Sequence, residues 1–342
     1  MEEENLIEAI NLKKYFVTGA GILSSILGGK SKIVKAVDGV TLSIKEGEVV
    51  GLVGESGCGK TTTGMLLAGL YKPTSGRILY EGKNIQNMSK KEFRKFRREV
   101  QMIFQDPYES LNPNFTVYDI VSEPLKAFKI GDPKMQFEKV YKALEAVGLE
   151  PQRYMNRYPH QLSGGERQRV SIASAMVLEP RVLIADEPTS MLDVSVRAGI
   201  LELIRDMVRN MRLSCLFISH DISTVKYISN KTAVMYLGKI IEIQSTKTLI
   251  TDPLHPYTQA LISAIPVPDP DYKRTPISIK GELSVTSSVA IPKSCRFNPR
   301  CPNAMDICYK MEPELTEIKP GCFVACHLYK KKMRCEINYS AG

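Results

Sequence analysis

The chain has 342 residues, 43% of them hydrophobic and 24% charged, with 46 Lys and Arg against 37 Asp and Glu for a formal charge of +9. That length suggests about two domains of ordinary globular composition, which excludes disordered and fibrous classes. The longest apolar runs, such as Val170–Leu178 and Val182–Ala185, fall short of the ~20 residues of a membrane-spanning helix, and the acidic start MEEENLIEAI is unlike a signal peptide, so a cytoplasmic protein is expected.

Ile7–Val17 and Ile33–Ile44 alternate apolar and polar residues as half-buried strands do, and the Gly/Ser-rich stretch between them reads as a loop whose apolar Gly21–Leu27 forms a short packed turn. Glu48–Val53 reads as a buried strand, Lys60–Leu70 as the helix after it, and Gly76–Ile85 as an edge strand. Ser89–Val100 is a charged helix with Phe93 and Phe96 on one side; it presents either a solvated face or a contact for phosphate or lipid. Residues 107–179 are helix-rich and interrupt a strand–helix alternation, which marks an inserted helical subdomain. The alternation resumes with the strand Arg181–Ala185, the helix Val194–Met211 and strands at Ser214–Ile218, Thr232–Leu237 and Lys239–Ile243. From Thr251 onward Pro253, Pro256, Pro266, Pro268, Pro270 and Pro276 crowd together, so a boundary is expected near 250, dividing the chain into 1–250 and 251–342.

The run Gly54, Glu55, Ser56, Gly57, Cys58, Gly59, Lys60, Thr61, Thr62 has the phosphate-loop pattern and sits between an apolar strand and a helix. Its glycines let successive amides point at a phosphate, the helix N-terminus adds positive potential, Lys60 neutralises the terminal phosphates and Thr61 can ligate Mg²⁺. Cys58 within the loop predicts that alkylation inhibits and that nucleotide protects. The complement is a strand ending in carboxylates: Asp186 to hold Mg²⁺ and Glu187 to polarise the attacking water.

Gln161 to Gln168, with Ser163, Gly164, Gly165 and Glu166 at its centre, resembles the LSGGQ-type signature of ATP-binding cassette (ABC) ATPases. Gln105 matches that family's Q-loop, Asp193 its D-loop and His220 its switch histidine. The resemblance implies an α/β P-loop NTPase core with an antiparallel β subdomain and a helical insert, binding ATP with Mg²⁺ at Thr61, Gln105 and Asp186. It implies that Glu187 and His220 are catalytic, and that an aromatic residue, Phe16 rather than Tyr15, stacks on adenine. Ser163, Gly164, Gly165 and Asp193 would act in trans, on the ATP of a second subunit that is either a paralogue or another copy.

Eight cysteines are present, and six fall between Cys295 and Cys335, which points to a metal site more readily than to a disulfide framework. Asp252–Leu261 and the spacing of Cys295, Cys301, Cys308 and Cys326 resemble the C-terminal extension of oligopeptide/dipeptide importer ATPases. By that resemblance the four thiols hold a 4Fe-4S cluster, with nearby arginines and lysines offsetting its charge; zinc on the same four ligands is the rival, and free thiols or disulfides the third reading. Cys322 and Cys335 depart from the pattern and could replace a ligand. The expected partners are the second ATPase subunit, two transmembrane permease subunits and an extracytoplasmic solute-binding protein, which places the chain at the cytoplasmic face of a membrane. Tyr108, Phe115 and Tyr118 in the insert would receive the permeases. The rivals are a soluble ABC ATPase acting on nucleic acid or ribosomes, and an importer ATPase gated by a redox-sensing cluster.

Overall fold

A computed structural model describes residues 5–18, 32–265 and 294–329. Gly21–Leu27, the prolines from Pro266 to Pro276 and Cys335 lie outside them. Strands β1 (Asn5–Thr18), β2 (Lys32–Lys45), β4 (Ser75–Tyr80) and β5 (Lys83–Asn84) form a four-stranded antiparallel sheet in the order β2-β1-β4-β5. The expected single strand Gly76–Ile85 is broken by Glu81 and Gly82, at φ +49° and +73°; two adjacent left-handed residues make the tight turn of a hairpin.

The second sheet runs β11 (Thr316–Lys319), β12 (Cys322–Val324), β10 (Lys239–Ser245), β9 (Lys231–Tyr236), β3 (Val49–Val53), β8 (Ser214–Ser219), β7 (Val182–Asp186), β6 (Val100–Ile103). Its centre is parallel: β3 lies between β8 and β9, with β7 and β6 beyond β8. A strand inside a covered sheet buries both faces, and the alternation shows it. Val50, Leu52, Val182 and Ile184 join one core with β1 and β2; Val49, Val53, Leu183 and Ala185 join the other with the helical insert.

The helix Lys90–Glu99 starts in a capping box between Ser89 and Glu92. Phe96 is fully buried against Tyr80 and Phe93, and Arg94 donates to the Ala127 carbonyl at 2.7 Å. One side of the helix is thus packed against the core, and its basic residues lie on the other side. Strand β6, which follows at once, escapes a reading by periodicity because its four residues continue the helix pattern.

The C-terminal extension does not hang free. Strand β10 (Lys239–Ser245) pairs with β12 (Cys322–Val324), which pairs with β11 (Thr316–Lys319), so the extension lengthens the core sheet across the expected boundary near 250. Glu242, fully buried on β10, accepts the backbone N–H groups of Leu254 and His255 at 2.8 Å each and the Gln244 amide at 2.5 Å. Burial raises its pKa. Tyr257 and Phe297, both fully buried, meet the ring of Tyr236 of β9 tilted at 60° and edge-on at 85°, with centroid separations of 4.8 and 5.4 Å. No helix among the described residues is long and apolar enough to cross a membrane.

Candidate functional site

Parallel strands deliver their C-terminal ends to one edge, and the chemistry collects there. The loop 54–59 leaves β3, Gln105 follows β6, Asp186 and Glu187 end β7, and His220 ends β8. A cavity on this edge is lined by Ser56, Gly57, Gly59, Lys60, Thr61, Thr62, Gln105 and Glu187, and on its far wall by Val34, Lys35, Ala36, Leu237 and Gly238. Gly59 sits at φ +109°, and a Cβ there would lie 2.1 Å from the Ala36 carbonyl oxygen, so only glycine lets the loop close against β2.

Lys60 Nζ donates to the carbonyls of Gly54 (2.8 Å) and Glu55 (3.1 Å) and lies 3.7 Å from Glu187 Oε1. Glu187 is buried at φ +43°, a strained conformation for a side-chain-bearing residue. Its Oε2 accepts from Gln105 Nε2 at 3.2 Å and faces His220 Nδ1 at 2.9 Å. The buried Asp186 accepts from Thr61 Oγ1 at 3.1 Å. Burial first, then the charge of Glu187, pushes the Asp186 carboxyl up to about 6, an environment that a divalent cation would relieve.

Cys58 lies within the loop, with its side chain turned into the core. Its thiol is 1% exposed and packs in the core with Met235, and burial raises its pKa, so the residue offers the cavity no reactive sulfur. Phe16 lies on β1 opposite Val34, which lines the cavity, and its ring meets Tyr71 edge-on at 5.8 Å. Tyr15 instead donates its hydroxyl to Asp38 at 2.5 Å. Burial and that bond push its pKa up to about 12.

Ser163 caps the helix Gly164–Met176, accepting from the Glu166 amide at 3.3 Å while Glu166 Oε2 accepts from the Ser163 amide at 2.7 Å. The acidic fifth residue of the signature is thus half of a capping box. Gly165 is packed: a Cβ would lie 2.5 Å from Val196 Cγ1. Asp193 precedes the helix Val194–Met211 and caps none of its amides. None of Ser163, Gly164, Gly165 and Asp193 lines the cavity.

The structure gathers Cys295, Cys301, Cys308 and Cys326. Burial first, and then the other three thiols, push Cys326 up to about 12; Cys295 is held at about 11 by burial and by Cys308 and Cys301. Cys322 lies apart on β12, opposite Lys319. Among the described residues no three His, Cys, Asp or Glu groups come together as a metal site. The expected charge compensation also fails for two residues, because Arg296 and Arg300 are engaged by carboxylates of the core and the extension. Arg300, Arg296 and Tyr257, which bond Glu55 and Asp38 beside the cavity, are marked by no motif.

The family described as ABC transporter matches residues 37–190, and that described as oligopeptide/dipeptide transporter, C-terminal region, matches 241–308. The chain is 50% identical over 328 residues, 95% of its length and 96% of the relative's, to the putative oligopeptide transport ATP-binding protein YkfD of Bacillus subtilis (strain 168). It is 47% identical over 330 residues, covering 96% and 98%, to the oligopeptide transport ATP-binding protein AppF of the same organism. Among solved structures it resembles the dimeric post-hydrolysis state of the ATP-binding cassette MJ0796 bound to ADP and Pi, at TM-score 0.61 and 28% identity over 70% of this chain and 98% of that one. These likenesses do not favour the nucleic-acid or redox-gated alternatives. The chain therefore belongs to the ABC transporter family, as an ATP-binding subunit of its oligopeptide/dipeptide branch.

Proposed function

We propose that this subunit binds ATP on the loop 54–62 and hydrolyses it to power peptide import through separate membrane subunits. The observation that carries the reading is the convergence of Lys60, Gln105 and His220 on one buried carboxylate, Glu187. In this reading the loop amides and Lys60 hold the phosphates, Phe16 stacks on adenine, and Thr61, Asp186 and Gln105 would hold Mg²⁺, which supplies charge neutralisation. Glu187 orients the attacking water and accepts its proton, while His220 and Gln105 fix the carboxylate. Ser163, Gly164, Gly165 and Asp193 would complete the site of a second subunit, consistent with the dimer named for MJ0796. The exposed Tyr108 and Phe115 belong to the surface proposed for the permeases at the cytoplasmic face; a solute-binding protein would complete the assembly.

Glu187→Gln tests the assignment. Hydrolysis should fall by about 10²–10⁴ with ATP binding retained and an ATP-dependent dimer trapped. Unchanged steady-state hydrolysis would refute the role of Glu187.

The four gathered thiols suit a 4Fe-4S cluster in kind, since such a cluster takes four thiolates and spans more space than a single ion. Cys295, Cys301, Cys308 and Cys326 would hold it, and bound, it would staple the extension. Iron content and an anaerobic absorption spectrum of the purified chain decide this; stoichiometric zinc or no metal would overturn it.

A further inference from the structure

Between Cys295 and Cys301 two arginines bond residues that flank the cavity, Arg300 on the phosphate-loop side and Arg296 on the β2 side, and neither belongs to any motif of the ATPase core. Arg300, 14% exposed, donates from one nitrogen to both carboxylate oxygens of Glu55, at 3.1 and 3.0 Å. The Glu55 amide donates to the Tyr257 hydroxyl at 3.0 Å, and its carbonyl accepts from Lys60 at 3.1 Å. Glu55 is thus held at three points, two of them supplied by the extension. Arg300 Nε is buried without a hydrogen-bond partner, so the guanidinium depends on Glu55 and on Tyr236, whose hydroxyl lies at 3.4 Å.

Arg296, 5% exposed, works on the opposite wall. It bonds Asp38, the Leu237 carbonyl and, at 2.7 Å, Glu312. Asp38 donates its amide to the Gly238 carbonyl at 2.8 Å, and Gly238 donates to the Cys58 carbonyl at 2.8 Å. Leu237 and Gly238 line the cavity, and Cys58 is in the phosphate loop. One six-residue step of the extension therefore fastens both the loop and the wall facing it.

We propose that Arg300, with Arg296, is a positioning residue for the phosphate loop, so that the extension holds the core's nucleotide pocket in its ATP-receiving shape. The mechanism is preorganisation: a loop whose amides already converge loses less freedom when the phosphates arrive. The proposal rests on the assignment of the cavity to ATP.

The test is equilibrium binding of a fluorescent ATP analogue to the full chain, with KM for ATP measured alongside. The variants are Arg300→Ala, Arg300→Lys, Glu55→Gln and the double variant Arg300→Ala/Glu55→Gln. Arg300→Ala should weaken nucleotide binding about tenfold, the order expected for a lost bond between charged groups, with the loss larger in KM than in kcat. Arg300→Lys should recover part of the loss, and should read out the clamp where the alanine variant does not fold. In the Glu55→Gln background Arg300→Ala should add less than twofold, because its partner is already weakened. Arg181→Ala, which breaks ion pairs with Glu46 and Glu81 on the far side of the sheet, should leave affinity alone and thus excludes a general loss of stability as the cause. Wild-type affinity in both Arg300 variants, or equal losses in the two Glu55 backgrounds, would overturn the clamp. Absence of binding by the wild-type chain would instead overturn the assignment of the cavity itself.

Discussion

His255 joins the core to its extension and carries a measurable signature of burial. It is 2% exposed, and burial pushes its imidazole from 6.5 down to about 3. Its Nδ1 accepts the Tyr257 amide at 3.0 Å, so the neutral ring caps the helix Pro256–Ser263. Unfolded chains take up a proton near pH 6.5 while the folded chain refuses it until about 3. The contribution is therefore complete above pH 6.5 and is lost as pH falls through that window, by about 1.4 kcal/mol per unit, or about 2 kcal/mol at pH 5. Asparagine offers a side-chain oxygen in place of Nδ1 as the capping acceptor and removes the titration, so His255→Asn isolates the effect. Urea unfolding of both proteins, followed by circular dichroism from about pH 7.5 to about pH 5, should show the wild type losing that much more stability on acidification. The carboxylates elsewhere in the chain are common to both and cancel in the difference. Parallel pH profiles would refute the reasoning, and would mean that the buried ring accepts its proton, for instance by pairing with Glu242.

Gly165→Ala should destabilise by about 1–3 kcal/mol through the contact with Val196, and Val196→Ala should restore most of it; Gly164→Ala, whose Cβ meets nothing closer than 3.6 Å, should leave the unfolding midpoint unchanged. Iodoacetamide should label Cys58 slowly in the folded chain whether or not ATP is present, because the thiol is buried and its pKa raised; mass spectrometry showing fast, ATP-protected labelling at Cys58 would contradict that placement.

The site was legible where chemistry constrains residue type. Lys60, Thr61, Asp186, Glu187, Gln105 and His220 stand at strand ends, and strand ends follow from apolar runs that periodicity detects. What escaped lies where the constraint is purely spatial. Nothing in the spacing of Cys295 and Cys301 says that the arginines between them point at Glu55 and Asp38, because those contacts span 245 and 258 positions of sequence. The burial of the Cys58 thiol escaped for a related reason: the motif puts the residue in the loop but does not say which way its side chain points. The break at Glu81 escaped because glutamate is not a residue that turn chemistry favours at positive φ.

The +9 charge also changes meaning once the partners are known. Arg181, Arg205, Arg296, Arg300, Lys139, Lys231 and Lys239 each meet a carboxylate within the chain; such pairs use both signs equally and leave the net +9 in place, but these seven side chains are engaged internally rather than free to grip a polyanion. At the cavity the attraction for a polyphosphate comes from Lys60, Lys35 and the amides of the loop. The carboxylates nearest the loop are in turn engaged, Glu55 by Arg300 and Glu187 by Lys60, His220 and Gln105. With ATP in the cavity as proposed, its affinity is a short-range property of one strand end. Buried groups within a few ångströms are screened little by salt, whereas a basic face gripping nucleic acid loses affinity steeply, about 10³–10⁵ between 50 and 200 mM salt for 6–10 phosphate contacts. A shallow salt dependence of ATP binding is what this arrangement requires.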